Sequence, residues 1–200
     1  MRIRNTVLTT GALAAALLVA GCSAGATSEP APAPATSEPA PSASNQANEV
    51  DIAFVQGMIP HHEQAVEMSD ILLAKDGVDE RVVALAQQIK DAQGPEIELM
   101  QSWLQEWGAE EGESEDDAHG GHDEGGMMSH EEMEALEAAD GVEAAKLFLS
   151  GMVVHHEGAV EMAQPVIDEG QHPEVVALAE QVIADQSAEI ETMNELLASL

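Results

Sequence analysis

The chain has 200 residues, enough for one domain with tails, and sets 38 acidic side chains against 6 basic ones for a formal charge of −32. A field of that sign excludes electrostatic capture of nucleic acid or anionic lipid headgroups. Aromatics make up 2% with no Tyr, so stacking platforms for bases or sugars lack raw material, and a single Cys excludes an internal disulfide or a Cys-built zinc site. The remainder is rich in Ala, Glu, Leu, Val and Met, which is helix composition, and ten Met is a high count.

In chain order the first element is an address. Arg2 and Arg4 precede an apolar run over 7–20, shorter than a transmembrane helix needs and suited to a signal-peptide core. The run closes on Val19-Ala20-Gly21-Cys22, small residues before the sole Cys, which resembles a bacterial lipobox. The resemblance implies a lipoprotein signal peptide over 1–21, lipid attachment at Cys22, and a domain held on the extracytoplasmic side of the cell envelope. An ordinary signal peptide with an incidental Cys is the alternative. Residues 22–48 are Ala, Pro, Ser, Thr and Glu with almost no large apolar side chain, so they cannot offset their own ordering entropy and read as a disordered tether.

Residues 49–200 read as one helical unit written twice. At an offset of 94, Phe54, Met58, His61-His62-Glu63 and Ala65-Val66-Glu67-Met68 meet Phe148, Met152, His155-His156-Glu157 and Ala159-Val160-Glu161-Met162. At an offset of 93, Val83-Ala84-Leu85-Ala86, Gln93, Glu96-Ile97-Glu98 and Met100 meet Val176-Ala177-Leu178-Ala179, Gln186, Glu189-Ile190-Glu191 and Met193. The first hairpin (49–107) predicts a helix over 49–75 stopped by Asp76-Gly77, then a second capped by Asp79 and bent at Gly94-Pro95. A linker follows over 108–128. The second hairpin (129–200) opens with the capping box Ser129-His130-Glu131-Glu132, continues with a helix from Asp140 to Glu169, and ends with one beginning near Pro173. Pro60 and Pro165 should kink their helices. Four long helices with short turns predict an all-α, antiparallel four-helix bundle. Up-down-up-down order makes the first and third long helices parallel, with both Met-x-x-His-His sets near one end.

Phe54, Met58, His61, Ala65, Met68 and Leu72 form one inward stripe, repeated by Phe148, Met152, His155, Ala159, Met162 and Val166. His62 and His156 fall at its edge, and Glu63, Glu67, Glu157 and Glu161 point to water. Gln93 and Met100 on the second helix, with Gln186 and Met193 in the repeat, complete the inward faces. Thioether and imidazole converging in a semi-buried place suit Cu(I), or Ag(I) as its mimic. Met58 and Met152 are the first thioether donors and His61 and His155 the inward imidazoles; Met68, Met162, Met100 and Met193 are completing donors. The bland alternative makes Met core filler and His a packed core residue.

The linker collects Asp116, Asp117, His119, His122, Asp123, Glu124, Met127, Met128 and His130, a flexible metal-gathering pattern that would serve Cu(II), Zn(II) or Ni(II) as readily as Cu(I), or simply a solvated acidic loop. A carboxylate-bridged di-iron centre is disfavoured, because the one Glu-x-x-His spacing, Glu169 to His172, lies in a turn.

Phe54-x3-Met58-Ile59-Pro60-His61-His62-x2-Ala65-x2-Met68, with Gln93-x2-Glu96-Ile97-x2-Met100-x2-Trp103-Leu104, resembles domain-of-unknown-function family 305 over 49–200. The resemblance implies a ferritin-like helical bundle, export and, from some members, copper binding. By position it implies the ligands Met58, His61, His62 and Met68, then Met152, His155, His156 and Met162. Val154 replaces Pro60 and Leu196 replaces Trp103 in the second copy. The reading is an envelope lipoprotein that scavenges, delivers or tolerates copper. Its partners would be the metal ion, the membrane through the lipid alone, and a copper-handling protein or a second copy, with no nucleic acid. A structural or interaction lipoprotein without metal, and a metal-dependent oxidoreductase, are the alternatives.

Overall fold

The computed structural model describes residues 46–110 and 125–200. Cys22 with the signal and tether expectations, and His119 and His122 of the linker, lie outside the described residues. The helices are α1 (Glu49–Leu73), α2 (Glu80–Trp107), α3 (His130–Ala138), α4 (Gly141–Glu169) and α5 (Pro173–Ser199). Among the described residues there is no strand, and no helix is long and apolar enough to cross a membrane.

Local chemistry sets most boundaries. Asn48 and Asp51 form a reciprocal capping box at the start of α1, each backbone N–H donating to the other's side chain at 2.9 Å. Asp79 caps α2, and Gly108 ends it in the left-handed conformation at φ +67°. Ser129 and Glu132 make the expected capping box of α3. Asp140 stands before α4 without a side-chain cap bond, and α1 ends at Leu73, short of the predicted stop at Asp76-Gly77. Pro60, Pro95 and Pro165 sit inside helices that continue through them, and Pro173 opens α5.

Two apolar clusters show how the helices stack. One joins Phe54, Val55, Met58 and Ile59 of α1 to Met100, Trp103 and Leu104 of α2, Ala159, Ala163 and Val166 of α4, and Val175, Leu178 and Val182 of α5. The other joins Met68 and Leu72 to Val82, Leu85 and Ile89, and to Phe148, Leu149, Met152, Met193 and Leu196. Within each hairpin the first half of one helix therefore packs against the second half of the other. The hairpins meet through α1 and α4, and α3 packs beside these two.

The first half of α1 faces the second half of α4, so α1 and α4 run in opposite directions. Polar contacts at both ends agree. Asn48 Nδ2 donates to the Glu169 carbonyl at 2.7 Å, and buried Asp51 accepts from the backbone N–H groups of Gln171 and His172. At the far end Lys75 Nζ donates to the Glu137 carbonyl, and Gly77 lies against Gly141. The expected parallel arrangement is corrected here. The two hairpins meet with the equivalent helices α1 and α4 head to tail. The two Met-x-x-His-His sets consequently diverge from a shared centre instead of sharing an end.

Asp51 ties the start of α1 to the α4–α5 turn through charge-assisted bonds in a buried place. Replacing Asp51 by Ala should cost about 3 kcal/mol, because backbone donors are left without partners. Urea unfolding of the two proteins measures the difference.

Candidate metal centre

Where α1 and α4 cross, their inward stripes touch at the middle residues. The rings of His61 and His155 stand 3.7 Å apart between centroids, tilted by 38°. His156 lies 6.3 Å from His155, and all four imidazoles of the two His pairs are buried. His62 and His156, expected at the stripe edge, are fully covered because α2 and α5 each lean a carboxylate onto them. His62 Nε2 donates to Glu96 Oε2 and His156 Nε2 donates to Glu189 Oε2, both at 2.8 Å. The two carboxylates are only 15% and 12% exposed. Glu63, Glu67, Glu157 and Glu161 are exposed as expected.

Sequence reasoning passed over Glu96 and Glu189. Their recurrence at the same offset as Gln93 and Gln186 was an available signal, blurred because Glu98 and Glu191 recur identically while staying exposed.

The centre is rich in nitrogen and oxygen atoms without partners: Nδ1 of His61, His62, His155 and His156, Nε2 of His155, and Oε1 of Gln93 and Gln186. Buried polar atoms are ordinarily paired with protein, water or an ion, so this set is the feature a functional reading has to account for. Burial lowers the His61 pKa from 6.5 to about 3, opposed by its bond to the Gly125 carbonyl, and lowers that of His155 well below its ordinary value. Both rings are thus neutral and hold a lone pair at physiological pH. Above the His62 and His156 side, α2 and α5 leave an open groove of about 310 Å³ that includes Gln93, Glu96, Asp185, Gln186 and Glu189 in its lining.

Thioethers enter both apolar clusters, and each cluster mixes the two copies. Met58 and Met100 of the first copy share a cluster with Met162 of the second. A Cβ on Gly57 would come within 2.9 Å of the Met162 methyl, so that glycine makes room for it. Met68 shares the other cluster with Met152, Met193 and Met128. The sequence reading grouped Met58 with Met68 and Met152 with Met162; the structure regroups them across the crossing. Among the described residues no three His, Cys, Asp or Glu side chains are gathered closely enough to hold a metal by themselves.

Residues 125–128 form a strap over this centre. The Gly125 carbonyl accepts from His61 Nε2 at 2.8 Å. Gln64 grips Met128 from both sides, accepting from its N–H at 2.7 Å and donating to its carbonyl at 2.9 Å. Position 158, equivalent to Gln64 in the second copy, is Gly, and a Cβ there would fall 1.6 Å from the Gly125 carbonyl oxygen. Met128 is buried over Gly151, Met127 is half-buried, and His130 is exposed beside Glu134.

The family model for DUF305, a domain of unknown function, matches residues 51–197. A DUF305 fragment from Deinococcus radiodurans is 34% identical, with a TM-score of 0.69 over 77% of this chain and 99% of that one. A candidate secreted DUF305 protein from Streptomyces coelicolor is 32% identical, with a TM-score of 0.67 over 75% and 91%. CopM in its Cu(I)-bound form is 29% identical, with a TM-score of 0.60 over 74% and 96%, and CopM structures with Cu(II) and Ag also match. No curated protein matches the chain.

Two outcomes follow from the geometry. His61 and His155 stay neutral on folding while the unfolded chain takes up protons below pH 6.5, so stability falls as pH drops from 6.5 towards 3. His155→Leu should flatten the acid side of a plot of melting temperature against pH. Gly158→Ala should eject the strap and cost about 1–3 kcal/mol, read as faster hydrogen exchange across 125–128.

Proposed function

The chain belongs to the DUF305 family, and from that premise we propose that it is an exported copper-binding protein that scavenges, delivers or buffers the metal without chemical turnover. One observation carries the reading: four buried imidazoles with unpartnered nitrogens, in a core whose two apolar clusters each hold thioethers from both copies. Imidazole with thioether is a soft-to-borderline donor set suited to Cu(I). The similar structures of CopM in Cu(I)-, Cu(II)- and Ag-bound forms lend support.

In this proposal His61, His62, His155 and His156 supply nitrogen. Met58, Met100 and Met162 supply sulfur on one side, and Met68, Met152, Met193 and Met128 on the other. The scaffold is an antiparallel four-helix bundle of ferritin-like type. The linker residues His119, His122 and Met127, with His130, serve as an outer gathering group that accepts Cu(II) as well. Cys22 anchors the domain by lipid outside the cytoplasm, at the end of a 22–48 tether. A secreted assignment in one relative points to the same compartment. The strong negative charge raises the local concentration of cations without choosing among them.

Anaerobic Cu(I) titration against a competing chelator tests the proposal. The wild type should outcompete Met58→Leu with Met152→Leu, and equal performance would overturn it. Copper at about 100 times its dissociation constant should add about 2.7 kcal/mol of stability, seen as a raised melting temperature, whereas superimposable curves count against binding.

A further inference from the structure

The geometry points to Glu96 and Glu189 as positioning residues that set which ring nitrogen of His62 and His156 is offered to the metal. The inference rests on the copper-binding reading and adds residues that no ligand pattern in the sequence includes. A carboxylate can only accept, so the 2.8 Å bonds place a ring hydrogen of each imidazole on Nε2. In the neutral ring the lone pair then lies on Nδ1, which in both rings is buried without a partner.

The carboxylates are themselves held. Gln181 of α5 donates to Glu96 Oε1 at 3.0 Å, and Gln88 of α2 donates to Glu189 Oε1 at 3.1 Å. These Gln residues occupy equivalent places in the two copies, and each serves the carboxylate of the other hairpin. The result is a crossed chain, Gln181–Glu96–His62 and Gln88–Glu189–His156, that spans both hairpins and ends at a buried Nδ1. A carboxylate bonded behind an imidazole fixes its orientation and raises its basicity as a donor.

The test uses the metal-free, folded chain first. Long-range proton–nitrogen NMR spectra at neutral pH should show His62 and His156 with hydrogen on Nε2 and a bare Nδ1. Glu96→Gln with Glu189→Gln, which preserves shape, should mix the tautomers and lower Cu(I) affinity by about 10- to 100-fold. Gln88→Ala with Gln181→Ala keeps both carboxylates and should give a smaller change of the same kind. Glu98→Gln with Glu191→Gln should change neither reading. A wild type with hydrogen on Nδ1, or on both nitrogens, overturns the inference, as does unchanged Cu(I) affinity in a folded Glu96→Gln, Glu189→Gln protein. A wild type with the expected tautomer that takes up no Cu(I) overturns the copper reading while supporting the carboxylate lock.

Discussion

Everything in the centre depends on one close approach, the ring-to-ring meeting of His61 and His155 where α1 crosses α4. Two imidazoles at that distance cannot both carry charge without severe repulsion, and the surrounding burial removes the water that would screen it. The crossing therefore demands neutral rings, and neutral rings keep lone pairs. A fold stabilised chiefly by apolar stripes has in this way accepted a polar middle that leaves several ring nitrogens without partners. The cost is tolerable because large clusters of buried apolar side chains close over it on both sides.

Head-to-tail stacking of the hairpins decides which sulfurs belong together. Had α1 and α4 run parallel, Met58 would have stood beside Met152. Running opposed, they set Met58 near Met162 and Met152 near Met68, so neither copy assembles a sulfur group from its own residues alone. Duplication is then more than a doubling of one site: a lone hairpin would lack part of the thioether set in each cluster.

Much of this was legible in the chain before any coordinates. Helix limits followed from caps and starts whose chemistry is local, such as Asp79, Ser129 and Pro173, although the Asn48–Asp51 box was not read. The inward stripe followed from 3.6-residue periodicity, and the repeat followed from identities such as Met58 with Met152. The direction of α1 against α4 was not legible, because a long linker permits either arrangement and no local residue records the choice. Glu96 and Glu189 escaped for a related reason. Periodicity says which face a residue occupies, but a carboxylate at the margin of a face turns inward only if a partner from another helix waits there. The strap escaped because Gly125-Gly126 read as continuation of an acidic, Gly-rich loop.

Gln64 and Gly158 hold corresponding posts in the two copies, yet they do opposite things to the strap: one clasps its backbone, the other steps aside for it. A perfectly repeated scaffold would offer a passing segment two seats of equal energy, and the population would divide between them. With amide on one post and no side chain on the other, only one seat fits, and the degeneracy that internal symmetry invites is removed. The two faces of the imidazole pair thereby become inequivalent, and a protein built from matching halves acquires a defined front and back.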